Sequence, residues 1–216
     1  MLKTFATTAL LAAALSVPQL ASAQTSAETK WSLGLEGGAQ AVENVGGLGG
    51  AQLALHITPR LAIVGEAVYL QDVVTRRRIE SASNIATYLS QTQGRTASSS
   101  LDVPAWAVTA GVRLTLKTSG GIRPYVIAQG GIARVTLRPA FSLAGADVTT
   151  TLSQYGVVLG SDLTGSSAKP VFGGGIGITA GQGPWFFDAA VRILSIQLDG
   201  QTANTSTIAF GIGRRF

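Results

Sequence analysis

Cysteine is absent, so disulfides, thiol catalysis and thiolate-held metals are all excluded. Charge is scarce too. Only 12% of the 216 residues are Asp, Glu, Lys or Arg, about half of the roughly 25% that an ordinary soluble domain carries. Something other than water must therefore cover much of this chain. Beyond the N-terminus there is no run of about 18 apolar residues, which excludes a bundle of transmembrane helices. The net charge of +5 is mild and its basic residues are dispersed with few aromatics between them, so nucleic acid is not a partner.

What remains is a chain that is 46% hydrophobic with 27 glycines scattered among Ala, Val, Ile and Leu. In hydrocarbon every backbone amide must be paired within the protein, and without long apolar helices only a closed sheet achieves this. The length suits one domain.

The first residues form a separate unit. Lys3 is a basic n-region, Ala9 to Val17 an apolar stretch too short to span a bilayer, and Ala21-Ser22-Ala23 a small-residue cleavage motif. Residues 1–23 thus read as an export signal cleaved after Ala23, and 24–216 as the mature domain, with a net charge of +4 once Lys3 is lost.

From Trp31 the mature chain alternates with a period of two over segments of barrel-strand length. Eight strands are expected, at about 30–41, 47–57, 61–71, 104–116, 123–137, 171–180, 185–198 and 205–216. In the fourth, Trp106, Val108, Ala110, Val112, Leu114 and Leu116 alternate with Ala107, Thr109, Gly111, Arg113 and Thr115. In the fifth, Gln129-Gly130-Gly131 could hold a bulge that switches parity, so its faces stay open. Short connections near Pro59, Gly120 and Gln182 alternate with longer ones, two of them being 72–103 and 138–169. Short periplasmic turns and long extracellular loops are the asymmetry expected of outer-membrane barrels, with both termini periplasmic. Asp147 could cap a short helix to about Val158 with Val148, Leu152 and Tyr155 on one side, or the segment could be an extended hairpin.

The end of the chain places Ile208, Phe210, Ile212 and the terminal Phe216 on one face. This resembles the C-terminal signal by which outer-membrane barrels are recognised for assembly. With the export signal and the strand pattern it covers nearly the whole chain. The sequence is similar to the small-barrel group of OmpA transmembrane domains, OmpX and opacity-type proteins. Arg214 stands where that signal usually has an apolar or aromatic residue. The resemblance implies an all-β, eight-stranded antiparallel up-and-down transmembrane β-barrel in the outer membrane, with its lipid, lipopolysaccharide and the barrel-assembly machinery as partners.

If these parities hold, Glu36, Glu66, Arg113, Asp188 and Arg192 all point inward, and buried charges must be paired. They are expected to form an interior ion-pair network filling a lumen only wide enough for side chains. Arg76, Arg77 and Arg78, with Arg134 and Arg138, are candidates for binding the phosphates of lipopolysaccharide, which suits arginine's forked donors. Trp31, Trp106, Trp185 and Phe216 read as interfacial girdle aromatics. His56 is the single histidine, with Thr58 two residues on, and its parity turns it inward and away from lipid. The Gly173-Gly174-Gly175 run lacks the Lys-Ser/Thr of a phosphate loop, and neither cofactor nor metal is implied.

The leading reading is a non-enzymatic envelope protein whose loops meet an extracellular ligand, for adhesion or binding. The alternatives are a narrow or gated pore for small solutes and a lipid A-modifying enzyme. A soluble lipocalin-type barrel would instead need a polar exterior. N-terminal sequencing of the exported protein should begin at Gln24; any other start moves the cleavage site.

Overall fold

The computed structural model describes residues 31–116, 121–160, 163–198 and 200–216, so the export signal with its cleavage site lies outside the described residues, as does most of the 119–121 turn. Ten strands form in chain order: β1 (Trp31–Ala41), β2 (Val45–His56), β3 (Leu61–Leu70), β4 (Ala97–Asp102), β5 (Ala105–Thr115), β6 (Ile122–Leu143), β7 (Ala146–Asp147), β8 (Gly165–Ala180), β9 (Trp185–Leu198) and β10 (Gln201–Arg215). Helix α1 (Arg76–Gln93) and a 3-10 helix (Thr149–Tyr155) lie in the long connections.

Strands β1, β2, β3, β5, β6, β8, β9 and β10 pair antiparallel with their neighbours in turn. The ring closes where Ser32 to Ala41 of β1 pair with Arg215 to Ser206 of β10, and the backbone N–H of Phe216 donates to Trp31 at 2.8 Å. Both described ends of the chain thus meet at the end of the barrel that carries the short turns.

Side-chain direction follows the period of two. On β5 and the residue after it the outward side chains run from Trp106 through Val108, Val112 and Leu114 to Leu116 and are exposed, while Ala107, Thr109 and Arg113 are buried inside. With ~3.3 Å per residue and a tilt of ~40°, a stretch of that length gives an apolar band about 25 Å tall, the height of a hydrocarbon core. Every barrel strand contributes to it. Phe187 and Phe210 are 66% and 64% exposed, far too much aromatic surface for a wall meant to face water. No described helix is long and apolar enough to cross a membrane.

Strand β6 carries no bulge. Its register with β5 runs unbroken from Thr115↔Tyr125 to Ala105↔Val135, through Gly111↔Gln129 and Thr109↔Gly131. The glycines allow the chains to pass closely there: a Cβ on Gly131 would collide with the Val108 carbonyl. Parity is therefore constant, and Tyr125, Ile127 and Gln129 face inward.

The connection after β3 is not an open loop. Its buried residues Arg78, Ala82, Ala86 and Leu89 form one stripe of α1, and the helix stops at Gly94 in the left-handed region, φ 61°. Strand β6 continues past the ring to pair with β4, then turns through Ala144 and Gly145, both at positive φ as a two-residue hairpin demands. The segment after Asp147 forms the 3-10 helix, with Asp147 accepting the Thr149 N–H at 2.8 Å and Val148 and Leu152 buried.

Replacing Val112 with Arg, at mid-height of the band, should lower the unfolding free energy of vesicle-inserted protein by about 2–4 kcal/mol, whereas Thr136→Arg, above the band, should cost about 0–1 kcal/mol. Urea titration in lipid vesicles reads the difference; equal effects would mean the band does not face hydrocarbon.

Candidate functional site, a filled lumen beneath a folded cap

The interior has two chemically distinct layers. Toward the long-loop end it is apolar: Val68 and Leu70 of β3, Val135 and Leu137 of β6, and Leu194, Ile196 and Leu198 of β9 belong to one buried cluster. The same cluster continues upward into Val73, Val74, Ala82 and Leu89 at the start and along the face of α1, and into Phe141, Leu143, Val148 and Leu152 of the β6 extension and 3-10 helix. Lumen and cap share a single core.

A set of polar contacts ties the cap to the rim. Asp72 accepts the backbone N–H groups of Val74 (2.9 Å) and Val103 (3.2 Å) on one carboxylate oxygen and the Asn44 amide at 3.1 Å on the other. The Gln40 amide donates to the Asp72 carbonyl, and the Thr75 hydroxyl donates to Gln201 at 2.9 Å. Thr75 precedes α1 but spends its hydroxyl on β10, so the helix start has no side-chain cap of its own.

Below the apolar layer sit the charges. Arg192 of β9 bridges two carboxylates: its guanidinium donates to Glu66 at 2.7 Å and to both oxygens of Glu36 at 3.1 and 2.9 Å. All three side chains are at most 7% exposed. A fork of donors facing two carboxylates suits arginine and no other residue. Arg113 and Asp188 are joined differently. The Arg113 guanidinium donates to Gln52 and stacks over the Tyr125 ring at 4.3 Å, and the Tyr125 hydroxyl donates to Asp188 at 2.8 Å. The five charges expected inside thus fall into two groups: a carboxylate–arginine–carboxylate bridge and a pair linked through a phenol.

Tyr125 was not among the residues singled out in the sequence, because the faces of β6 could not be assigned across Gln129-Gly130-Gly131; an unbroken alternation would have turned it inward. Inward glycines make room for these large side chains. A Cβ on Gly175 would strike Arg192, and one on Gly177 the Tyr125 ring. No described group of three or more His, Asp or Glu residues is arranged to hold a metal ion.

His56 faces the lumen, with its ring nitrogen 3.3 Å from the Ser32 hydroxyl. The Thr58 hydroxyl instead accepts the N–H groups of Arg60 and Leu61 in the β2–β3 turn. The two do not form a lipid-facing pair.

The arginines are dispersed over the outer end. Arg76 is exposed and 3.4 Å from Glu43, Arg77 reaches the β9–β10 turn at Gly200, and Arg134 faces outward with its Nε donating to Ser166 at 3.0 Å. Arg138 is exposed opposite Asp102. Arg78 departs from the expected phosphate-binding set: it lies on the inner stripe of α1 and is buried. Three consecutive residues on a helix span most of a turn, so they cannot all face one way.

The girdle aromatics split between the two ends. Trp31, Trp185 and Phe216 are exposed at the short-turn end, while Trp106 packs against Tyr69 near the other, with ring centres 5.0 Å apart. Arg214 lies over Trp185 at 5.8 Å and over Phe216 at 5.2 Å. Ile208, Phe210 and Ile212 are exposed on the outer wall of β10.

Arg192→Met should strand two buried carboxylates and destabilise the barrel by about 3–5 kcal/mol, and adding Glu36→Gln and Glu66→Gln should restore most of that. Urea midpoints in vesicles test it; a triple variant as unstable as Arg192→Met would mean the arginine acts through packing alone.

No family model matches the sequence, and no curated protein matches it significantly. Solved structures do. Neisserial surface protein A superposes with a TM-score of 0.55 at 11% identity, over 87% of this chain and 97% of that one. The N-terminal β-barrel domain of Pseudomonas aeruginosa OprF gives 0.46 at 16% identity, over 86% and 97%. Ail, the attachment invasion locus protein of Yersinia pestis, gives 0.44 at 13%, over 86% and 96%. The likeness to Neisserial surface protein A, over nearly all of both chains, shows that this chain has the fold of the small eight-stranded outer-membrane β-barrels.

Proposed function

We propose that the protein is an integral outer-membrane barrel that works as a surface-interaction protein: the ring is the anchor, and the folded long-loop end faces outward to bind or adhere. The observation that carries this reading is the shared core. Apolar side chains run without interruption from the inner wall of β3, β6 and β9 into α1 and the 3-10 helix, so the outer mouth is closed by packed structure. A conduit needs a wetted path, and a continuous layer of buried Leu, Ile, Val and Phe supplies none. The second group of side chains, below, is an interior ion-pair network that fills the remaining lumen.

The apolar band supports a membrane location, and the short-turn end is then the periplasmic one. Above the band at the outer end, Arg76, Arg77, Arg134 and Arg138 are exposed at the level where lipopolysaccharide phosphates lie. They are the residues we assign to that contact, with Arg78 excluded by its burial. In the class of ligand met by the cap itself, adhesion and binding remain one proposal, tested by what the purified surface retains.

In planar bilayers the protein should give no stepwise conductance, and steady single-channel steps would favour the pore. Changing Arg76, Arg77, Arg134 and Arg138 together to Gln should lower lipopolysaccharide retention at least tenfold, on the basis of about 1 kcal/mol for each arginine near an anionic surface. Unchanged retention would remove the phosphate-binding assignment while leaving the closed barrel intact.

A further inference from the structure

Among the described side chains, the short-turn end of the barrel carries positive charge without a compensating carboxylate. Arg60 stands exposed in the β2–β3 turn, Arg123 is exposed at the start of β6, and Arg214 and Arg215 end β10. No carboxylate side chain of the described residues projects from this end. The nearest are Glu36, Glu66 and Asp188, which lie inside the lumen on Arg192 and Tyr125. The described carboxylates outside the lumen, namely Glu43, Asp72, Glu80, Asp102 and Asp147, all belong to the long-loop end. Such a one-sided distribution is a standing attraction for anions at one rim.

Within that rim Arg214 has a particular setting. It points out from the wall, away from the lumen, where an apolar residue would be expected in a terminal strand. Its guanidinium lies against Trp185 and Phe216, both exposed at the edge of the apolar band. No described carboxylate forms an ion pair with it. Two aromatic rings flank the planar cation, and a guanidinium held by its faces offers its edge donors to a phosphate oxygen. Arg215 is committed elsewhere: it faces inward, lies over Phe186 at 4.9 Å and donates to the Gly183 carbonyl at 2.9 Å.

We infer that Arg214, clasped by Trp185 and Phe216, is a binding site for the phosphate of an anionic phospholipid at the short-turn rim, with Arg60 and Arg123 adding to the field that draws such lipids there. The inference rests on the membrane-spanning reading above. Occupancy by lipid rather than a free anion follows from position: the site opens sideways from the barrel wall at the border of the apolar band, where acyl chains can lie over Ile212 and Phe210 while the headgroup meets the guanidinium. It also supplies a physical use for an arginine at a position where the apolar alternation of β10 is otherwise unbroken from Ile208 to Ile212.

The test is lipid retention by the detergent-solubilised, refolded protein, read by native mass spectrometry with phosphatidylglycerol or phosphatidylcholine added. The unaltered protein should retain phosphatidylglycerol about fivefold better, the effect expected of one arginine near an anionic headgroup. Arg214→Gln should abolish that preference and Arg214→Lys should keep most of it. Equal preference in the unaltered protein and Arg214→Gln overturns the site. Binding of inorganic phosphate alone with the same dependence on Arg214 overturns the assignment to lipid. Different migration of boiled and unboiled samples on a gel shows in each case that the barrel has closed; a variant that fails this is replaced by Trp185→Leu, which should weaken the preference. Failure of the barrel to insert into vesicles at all would sink the membrane reading instead.

Discussion

Everything in this structure depends on the pairing of β1 with β10. A backbone N–H or C=O left open in hydrocarbon costs several kcal/mol, so a sheet can live there only when it has no edge. The pairing of Ser32 to Ala41 with Ser206 to Arg215 removes both edges at once. Closure fixes the number of inward positions, and that number dictates the interior: an eight-stranded ring is just wide enough for side chains to fill. Where a guanidinium or a phenol fills the space, its register partner on the adjacent strand is glycine, as Gly175 is beside Arg192 and Gly177 beside Tyr125.

The filled interior is polar at one level and apolar at the next, and each has a physical reason. The charges sit where the ring alone encloses them, so they must satisfy one another, and Arg192 does so by meeting two carboxylates at once. The apolar layer sits where the long connections can reach it. There α1 and the β6 extension supply partner surface, and burial in a common core stabilises ring and cap together. The cap thus owes its order to the same hydrophobic contacts that close the lumen, assisted by Asp72 and Thr75 at the rim.

The ring was legible in the sequence because alternation is a local signal that needs no knowledge of the partner strand. Strands β5 and β9 follow it from end to end. The departures lie where that signal changes meaning. Strand β6 runs longer than expected because beyond Leu137 the chain leaves the band and pairs with β4, where outward residues need not be apolar, and β8 starts early because Gly165 to Pro170 pair with Leu137 to Ile132. The faces of β6 were ambiguous because glycine belongs to neither face, so Gly130 and Gly131 hid the parity that places Tyr125 inside. Helix α1 went unseen because its buried stripe holds an arginine and two alanines beside a single leucine, beneath a polar surface rich in Arg, Ser, Thr and Gln; Ile85 and Leu89 with Gly94 beyond were the available signs. The ion pairs were foreseeable as a group of inward charges, but their grouping requires the ring's curvature, which no single strand encodes.

The shared core also bears on how such a molecule can be made. Ala82 and Leu89 belong to the same core as Leu194, Ile196 and Leu198 beside Val68 and Leu70, and that core is complete only when the last strands join the first. Until then the helix has only its neighbours β4 and β6 to rest on, and a more hydrophobic stripe would risk settling in lipid on the way. Alanine on the inner face of α1 reads as a compromise between two moments in the protein's life: transit, which favours a helix that ignores the membrane, and residence, which favours one that grips the mouth of the ring.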